Sequence, residues 1–242
     1  LQEYTKVATS LLEGVDLRGK EVLDVGCGTG ILSLLAIKQG AAKLTCGDLS
    51  EYMLGQCRKK IIAQGFSEER VDFRQLDAES LPYDDKSLDA VISGMLIGLV
   101  PNQKKVVTEM ARVLRPKGTL AFSTHGPNYF WEVADAVFRA IPKRYVLGYR
   151  IEFWPRKETE IQRMIAQAGL VNVQTRRVTW RHDYENGGRT YDFFAAVSAE
   201  WWNAKFPPDK IKQISKMSRD YCEHNKVTQL THDVILAYGL KS

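Results

Sequence analysis

Glu21–Gly30, EVLDVGCGTG, decides how the rest of the chain is read. Val22, Leu23 and Val25 form a short apolar run that reads as a buried strand. Gly26, Gly28 and Gly30 follow at every second position, and Ile31 to Lys38 then reads as a helix stopped at Gly40. Strand, glycine turn and helix in this order bring a ligand to bare backbone N–H groups at a helix N-terminus. Glycine suits the turn because a side chain blocks close approach and because the turn needs left-handed dihedrals. Asp24 places a carboxylate just before the turn, where a pyrophosphate would be repelled and a cation favoured.

The dinucleotide fingerprint G-x-G-x-x-G needs a third glycine five residues after the first. Counted from Gly26 that position is Ile31, so the fingerprint fails. The pattern [D/E]-x-G-x-G-x-G instead resembles the first motif of class I S-adenosylmethionine-dependent methyltransferases. The cofactor this implies carries an ammonium and a sulfonium, which agrees with the carboxylate of Asp24. Gly26, Cys27, Gly28 and Gly30 are then expected to line its binding site.

Leu44–Asp48, LTCGD, reads as the second strand and ends in an acid. In a doubly wound sheet that position faces the ribose of an adenosine moiety, and a carboxylate accepts from both hydroxyls. Ser50 is the better cap for the following helix, which leaves Asp48, with Leu49 beside it, for the ligand. The third strand, Val71 to Leu76, runs into Asp77-Ala78-Glu79-Ser80-Leu81-Pro82, which resembles the family's D-A-x-x-L-P segment. The resemblance implies that Asp77 accepts from the adenine amino group and that the Ala78 amide reaches a ring nitrogen; a plain turn-forming role for Asp77 is the alternative. LDAVIS, Leu88 to Ser93, reads as the fourth strand and brings Ser93 to the cofactor end of the sheet.

Residues 21–124 are similar to the small-molecule, quinone-biosynthesis-type branch of the family, chiefly through LPYDDKSLDAVIS and EMARVLRPKGTLAFS. Many relatives carry a His-His pair after the fourth strand; here Gly98 and Leu99 stand there, and any role of those imidazoles is absent. The loop Ser93-Gly94-Met95-Leu96 matches neither the [N/D]-P-P-[Y/F] loop of base amino-group methylation nor a Pro-Cys nucleophile. No DNA partner is expected.

The expected fold is α/β, a Rossmann-like doubly wound seven-stranded sheet whose last strand, around HDVILAY (His232 to Tyr238), lies antiparallel between the fifth and sixth. Residues 1–124 read as an N-terminal helix and the cofactor half of the core, 125–157 as an aromatic lid segment, 158–182 and 230–242 as the rest of the sheet, and 183–229 as a helical insertion capping the substrate. Helices are expected at Asn128 to Ala140, Asp192 to Trp202 and Asp209 to His224. Tyr4, Tyr129, Trp131 and Tyr149 are the lid candidates, although most aromatics in such a stretch pack helices together. His125, directly after the fifth strand TLAFST, is the first candidate for a catalytic base; His182, Tyr4 and Tyr129 are weaker ones.

Composition sets the remaining bounds. A 242-residue chain with 44% hydrophobic and 26% charged residues suits a soluble α/β domain with additions. No run of 18 or more apolar residues suggests a membrane span. The net charge of +5 arises after residue 120, where 18 basic face 13 acidic residues, against 16 and 16 before it. A solvated helical face accounts for that excess, and an acidic substrate or nucleic acid is the alternative. Cys27, Cys46, Cys57 and Cys222 show no C-x-x-C spacing, which fits a reduced, cytoplasmic setting. The four histidines have no metal-ligand spacing, so no metal is expected. The activity expected is methyl transfer from S-adenosylmethionine to a small-molecule acceptor. RNA or protein methylation and a non-catalytic cofactor-binding subunit are the alternatives. The acceptor atom and the oligomeric state are left open.

Overall fold

The computed structural model describes residues 2–140 and 157–242. Among these, seven strands form one sheet in the order β3-β2-β1-β4-β5-β7-β6, the last strand antiparallel. The strands are β1 Glu21–Val25, β2 Lys43–Asp48, β3 Val71–Gln75, β4 Leu88–Gly94, β5 Leu114–His125, β6 Leu170–Asp183 and β7 Gln229–Lys241. The helices, in chain order, are α1 Gln2–Leu12, α2 Ile31–Lys38, α3 Glu51–Ala63, α4 Gln103–Val113, α5 Trp131–Ala140, α6 Glu158–Gln167, α7 Gly187–Lys205 and α8 Pro208–His224.

The chain divides into two compact units. The first holds Leu1–Thr124, Arg156–Arg177 and Ile235–Ser242; the second holds His125–Pro155 and Val178–Val234. In the first unit parallel pairing sets the strand ends level: Val25 lies opposite Gly47, Asp48 opposite Gln75, and Gly94 opposite Ser123. That register brings the residues after β1, β2, β3 and β4 to one edge of the sheet, where open α/β sheets bind ligands. Behind it, Leu23, Val91, Val106, Val107, Met110, Leu120 and Phe122 form a core without solvent contact. α4 turns Val106, Val107 and Met110 inward at the i, i+1, i+4 spacing of one helix face.

Local signals explain the helix ends. Ser50 Oγ accepts from Met53 N (3.3 Å) and caps α3, as the sequence indicates. Gly40, at φ 106°, stops α2. α5 begins at Trp131 rather than Asn128, because the preceding residues are tied elsewhere. Gly126 N donates to Asp233 O (2.7 Å), Phe130 N donates to Thr231 O (2.8 Å), and Phe130 sits at φ 54°. α7 starts five residues before the expected Asp192. Asn186 Oδ1 caps it through Arg189 N (2.9 Å), and Gly187 lies so close to α8 that a Cβ there would sit 2.0 Å from Cys222 O. The second unit has its own apolar cluster, including Phe130, Val137, Tyr191, Phe194, Trp202 and Phe206. Tyr149 and the neighbouring aromatics of the expected lid segment lie outside the described residues.

Two glycines of the β1–α2 turn differ in their surroundings. Gly30, at φ 79°, would place a Cβ 2.5 Å from Cys57 Sγ and 3.2 Å from its Cα, whereas Gly28, at φ 53°, would meet nothing within 4 Å. Gly30→Ala is therefore expected to cost about 2–4 kcal/mol of folding stability in urea melts, from left-handed strain plus overpacking. Gly28→Ala is expected to cost only about 1–2 kcal/mol, from strain alone. Equal losses would contradict this distinction.

Candidate functional site

The site is built from the residues that the register of β1 to β4 brings level. Asp24, one residue before the end of β1, has no solvent exposure. Its Oδ2 accepts from Ser33 Oγ at 2.5 Å, and its Oδ1 has no hydrogen-bond partner. Burial pushes its carboxyl up to about 7, with the Cys57 and Asp48 charges adding to the rise and Ser33 opposing it. A buried carboxylate oxygen without a donor carries a desolvation penalty that a cationic ligand removes. Ser33 was not singled out from sequence; the signal was a lone hydroxyl three residues past Gly30 in an otherwise apolar helix face.

The glycine turn works differently from the expectation of bare amides. Gly26 N and Cys27 N both donate to Gly47 O (2.8 and 2.9 Å), Gly30 N donates to Cys27 O (2.9 Å), and Gly28 N donates to Asp48 Oδ2 (2.8 Å). These four amides are engaged by the protein itself. What the turn offers is space: a Cβ on Gly28 would touch nothing, while one on Gly26 would lie 2.9 Å from Leu96. The positive φ values of Gly26, Gly28 and Gly30 keep the chain in that path. Cys27 is buried with its thiol against those of Cys46 and Cys57, a setting that pushes the Cys27 thiol up and pulls the Cys57 thiol down to about 4.

Asp48 is half-buried at the end of β2 and bridges Gly28 N to Ser50 N (2.9 Å from Oδ1). Leu49 beside it is 68% exposed, an apolar surface at the ligand edge. Asp77 is exposed; its Oδ1 accepts from Glu79 N (2.8 Å) and its carbonyl from Ser80 N (3.0 Å), so it does shape its own turn. Ala78 is half-buried against the core. Ser93 is fully buried and donates to Val25 O (2.7 Å), tying the ends of β4 and β1 together. Its hydroxyl is therefore engaged inside the sheet. Tyr4, on α1, is half-buried, and burial raises its phenol.

The remaining candidates belong to the second unit. His125 closes β5, half-buried, with the ring of Tyr129 edge-on at 4.4 Å. Desolvation lowers its imidazole to about 4, so it is neutral across the ordinary pH range. Tyr129 also meets His232 edge-on at 5.8 Å, and His232 stacks on Trp180 at 4.9 Å. Trp131, a lid candidate, is 47% exposed on α5. His182 lies against Tyr184 at 4.7 Å. The loop after His125 is fixed by Asp233, a buried acid inside the apolar run of β7. Asp233 Oδ2 accepts from Asn128 N (2.7 Å) and Oδ1 from Thr179 Oγ1 (3.2 Å). Among the described residues no cluster of His, Cys, Asp or Glu is placed to hold a metal ion, and no helix is long and apolar enough to cross a membrane.

Comparison with known proteins gives a consistent outcome. Residues 23–122 match the family described as methyltransferase domain. A phosphatidylethanolamine N-methyltransferase of Cereibacter sphaeroides is 36% identical over 168 residues, covering 64% of this chain and 79% of that protein. A demethylmenaquinone methyltransferase of Clavibacter sepedonicus is 30% identical over 176 residues, 66% of this chain and 69% of that protein. Among solved structures, the YcgJ protein of Bacillus subtilis superposes with a TM-score of 0.70 at 20% identity, over 98% of both chains. An acid at the end of β1 with one oxygen lacking a donor, an open glycine turn beside it and relatives of this identity agree with one another: the chain belongs to the class I S-adenosylmethionine-dependent methyltransferases.

Proposed function

We propose that the protein methylates a small, partly apolar acceptor, with the cofactor held along the carboxyl ends of β1 to β4. The observation that carries the cofactor half is the orphaned Oδ1 of Asp24 beside the open face of Gly28. There Asp24 receives the cofactor's ammonium group, Gly28 gives its body room to approach the backbone, and Gly26, Cys27 and Gly30 hold the turn in that path. Asp48, already oriented by Gly28 N and Ser50 N, accepts from the ribose hydroxyls with its remaining lone pairs. Leu49 and Ala78 flank the adenine, and Asp77 accepts from its amino group. Ser93 acts from behind, by fixing the two strand ends.

When bound, the cofactor supplies an activated methyl on a sulfonium. The protein's part is alignment and exclusion of water, which is why few side chains need to be reactive. His125 is the base candidate. A neutral imidazole with a low proton affinity favours accepting a hydrogen bond from the acceptor over holding a full proton before transfer. Tyr129 and Trp131 supply the apolar and aromatic surface, with Tyr149 as a further lid residue. Residues 125–157 are in this reading a lid segment and residues 183–229 an acceptor cap. The relatives support a small or lipid-type acceptor by name, while their amine and quinone-type targets leave the acceptor atom undetermined. Four free, buried cysteines support a reducing, cytoplasmic setting. Incubation with isotopically labelled cofactor and a host metabolite extract, followed by identification of the labelled product, tests the reading. A labelled small molecule is expected, and label confined to RNA or protein would contradict it.

Cofactor affinity is expected to rise from pH 6 to pH 8, because the cation binds the ionised form of a carboxyl that titrates near 7 in the free protein. The sign for stability is opposite. A carboxyl raised from 3.8 to about 7 binds more protons folded than unfolded, so its contribution to the free protein is full below about pH 4 and lost as pH rises through 7. Titration calorimetry across that range checks the binding trend against Asp24→Asn. A slope that persists in the variant would remove Asp24 from the site.

Asp48→Ala is expected to weaken cofactor binding by about 1–3 kcal/mol through loss of charge-assisted hydrogen bonds, and unchanged affinity would place Asp48 outside the site. His125→Ala is expected to lower turnover more than cofactor affinity, with no His125-dependent limb in the rate between pH 6 and 9. Turnover equal to wild type would leave His125 as scaffold.

A further inference from the structure

The loop Asp77–Tyr83 carries the residues assigned to the adenine, yet it has little regular structure of its own. Within it, only an isolated bridge pairs Asp77 with Ser80. Leu76 N on Asp48 O (3.1 Å) holds its first end, and the path of its second end, Leu81 to Tyr83, is imposed from α4, largely through one side chain. Arg112 Nη2 donates to Leu81 O (2.9 Å) and to Glu109 Oε2 (2.8 Å). Nη1 donates to Tyr83 O (2.7 Å) and to Asp85 Oδ1 (2.8 Å), and Nε donates to Glu109 Oε1 (2.8 Å). A guanidinium has five N–H donors in a planar fork, and every one of them is engaged here. Glu109 completes the clamp: held by Arg112, its Oε2 accepts from Leu81 N at 2.9 Å. Leu81 is therefore gripped at both its amide and its carbonyl. At the other end of α4, Glu79 Oε1 accepts from Asn102 N at 3.0 Å, so the loop is fastened to both ends of the helix.

The charges agree with this arrangement. The Arg112 guanidinium holds the Glu109 carboxyl below the usual range, and the Glu109 and Asp85 carboxylates hold Arg112 firmly protonated. Arg112 is mostly buried, with 29% of its side chain exposed, so these bonds are less screened than those of the surface pairs around it. A lysine could not replace it, since three rotating donors on one nitrogen cannot span two carbonyls and two carboxylates. Nothing places Arg112 itself against the cofactor. Its reach ends at Leu81 and Tyr83.

We propose that Arg112, with Glu109, is a positioning residue for nucleobase recognition: it sets the path of the Asp77–Tyr83 loop so that Asp77 and Ala78 present an adenine-reading edge. The proposal rests on the cofactor reading above and adds to it the source of base specificity. Asp77 Oδ1 is engaged by Glu79 N, so the discriminating acceptor depends on where the backbone holds the whole residue. Releasing Leu81 and Tyr83 frees that backbone while leaving Asp24, the glycine turn and Asp48 in place. The expected consequence is lost discrimination between bases with retained grip on the rest of the nucleoside.

The test measures binding of S-adenosylhomocysteine and S-inosylhomocysteine to the full chain by titration calorimetry. Inosine replaces the amino donor by a carbonyl, which a carboxylate disfavours. Wild type is expected to prefer the adenine compound by roughly tenfold, about one hydrogen bond. Arg112→Lys is expected to bring that ratio close to about one, chiefly by weakening the adenine compound, with faster hydrogen exchange confined to residues 77–85. A folded Arg112→Lys protein that keeps the wild-type ratio would overturn the proposal and leave Arg112 as a stability residue. If that variant does not fold, Glu109→Gln decides in the same way, since it weakens the grip on Leu81 N and on Arg112 together. Wild type binding both compounds equally well would overturn the proposal and the Asp77 assignment but not the cofactor site. Wild type binding neither would sink the cofactor reading with it.

Discussion

A carboxylate held out of water at the end of a strand is the constraint on which this structure turns. Asp24 has one oxygen tied to Ser33 and the other without a donor, in a place where solvation is lost. Such a group is costly to the free protein and becomes favourable only when something positive arrives. The surroundings are arranged so that it can arrive: Gly28 leaves its side-chain volume empty, and Gly26, Cys27 and Gly30 hold the turn open by satisfying their own amides internally. The free protein thus keeps a cation-shaped deficit, which in the proposed site the cofactor's charge fills.

The edge of the sheet extends this logic without repeating it. Asp48 is pre-oriented by two backbone amides, one of them from the glycine turn, so the ends of β1 and β2 are joined. Ser93 joins β4 to β1 through a buried hydroxyl. The segment after β3 is tied to the end of β2 by Leu76 N on Asp48 O (3.1 Å), and its far end takes a second anchor from α4 through Arg112 and Glu109. Rigidity is supplied along the edge proposed to hold the cofactor, as pre-organisation requires. In the second unit a comparable device appears at the loop after His125, where Asp233 ties the backbone of Gly126 and Asn128 to Thr179.

Most of the sheet was legible because its signals are local. Val22 to Val25, Leu44 to Asp48 and Leu88 to Ser93 are short apolar runs closed by glycine or acid, and Gly40 and Ser50 mark helix ends by their own chemistry. What was misread depended on partners far away in sequence. Three amides of the glycine turn, those of Gly26, Cys27 and Gly28, looked free because their acceptors, Gly47 and Asp48, are found only once β2 is placed beside β1. Asn128 looked helical because nothing nearby announces that Thr231 and Asp233 claim the backbone ahead of Trp131. The helix expected from Asp192 starts at Gly187 because Gly187 and Gly188, without side chains, let α7 begin against Cys222 and Arg219. Arg112 was hidden for the same reason. Its likeness to relatives was plain, but its five acceptors lie in residues 81–85 and 109, and only folding gathers them.

The most direct test of the central claim is difference infrared spectroscopy of the protein near pH 6, with and without S-adenosylmethionine. If Asp24 is protonated when free and ionised beneath a bound cation, adding the cofactor removes a protonated-carboxyl band and gives a carboxylate band in its place, and both changes vanish in Asp24→Asn. A cofactor-bound spectrum that retains the protonated band, or an identical change in the variant, would contradict the account.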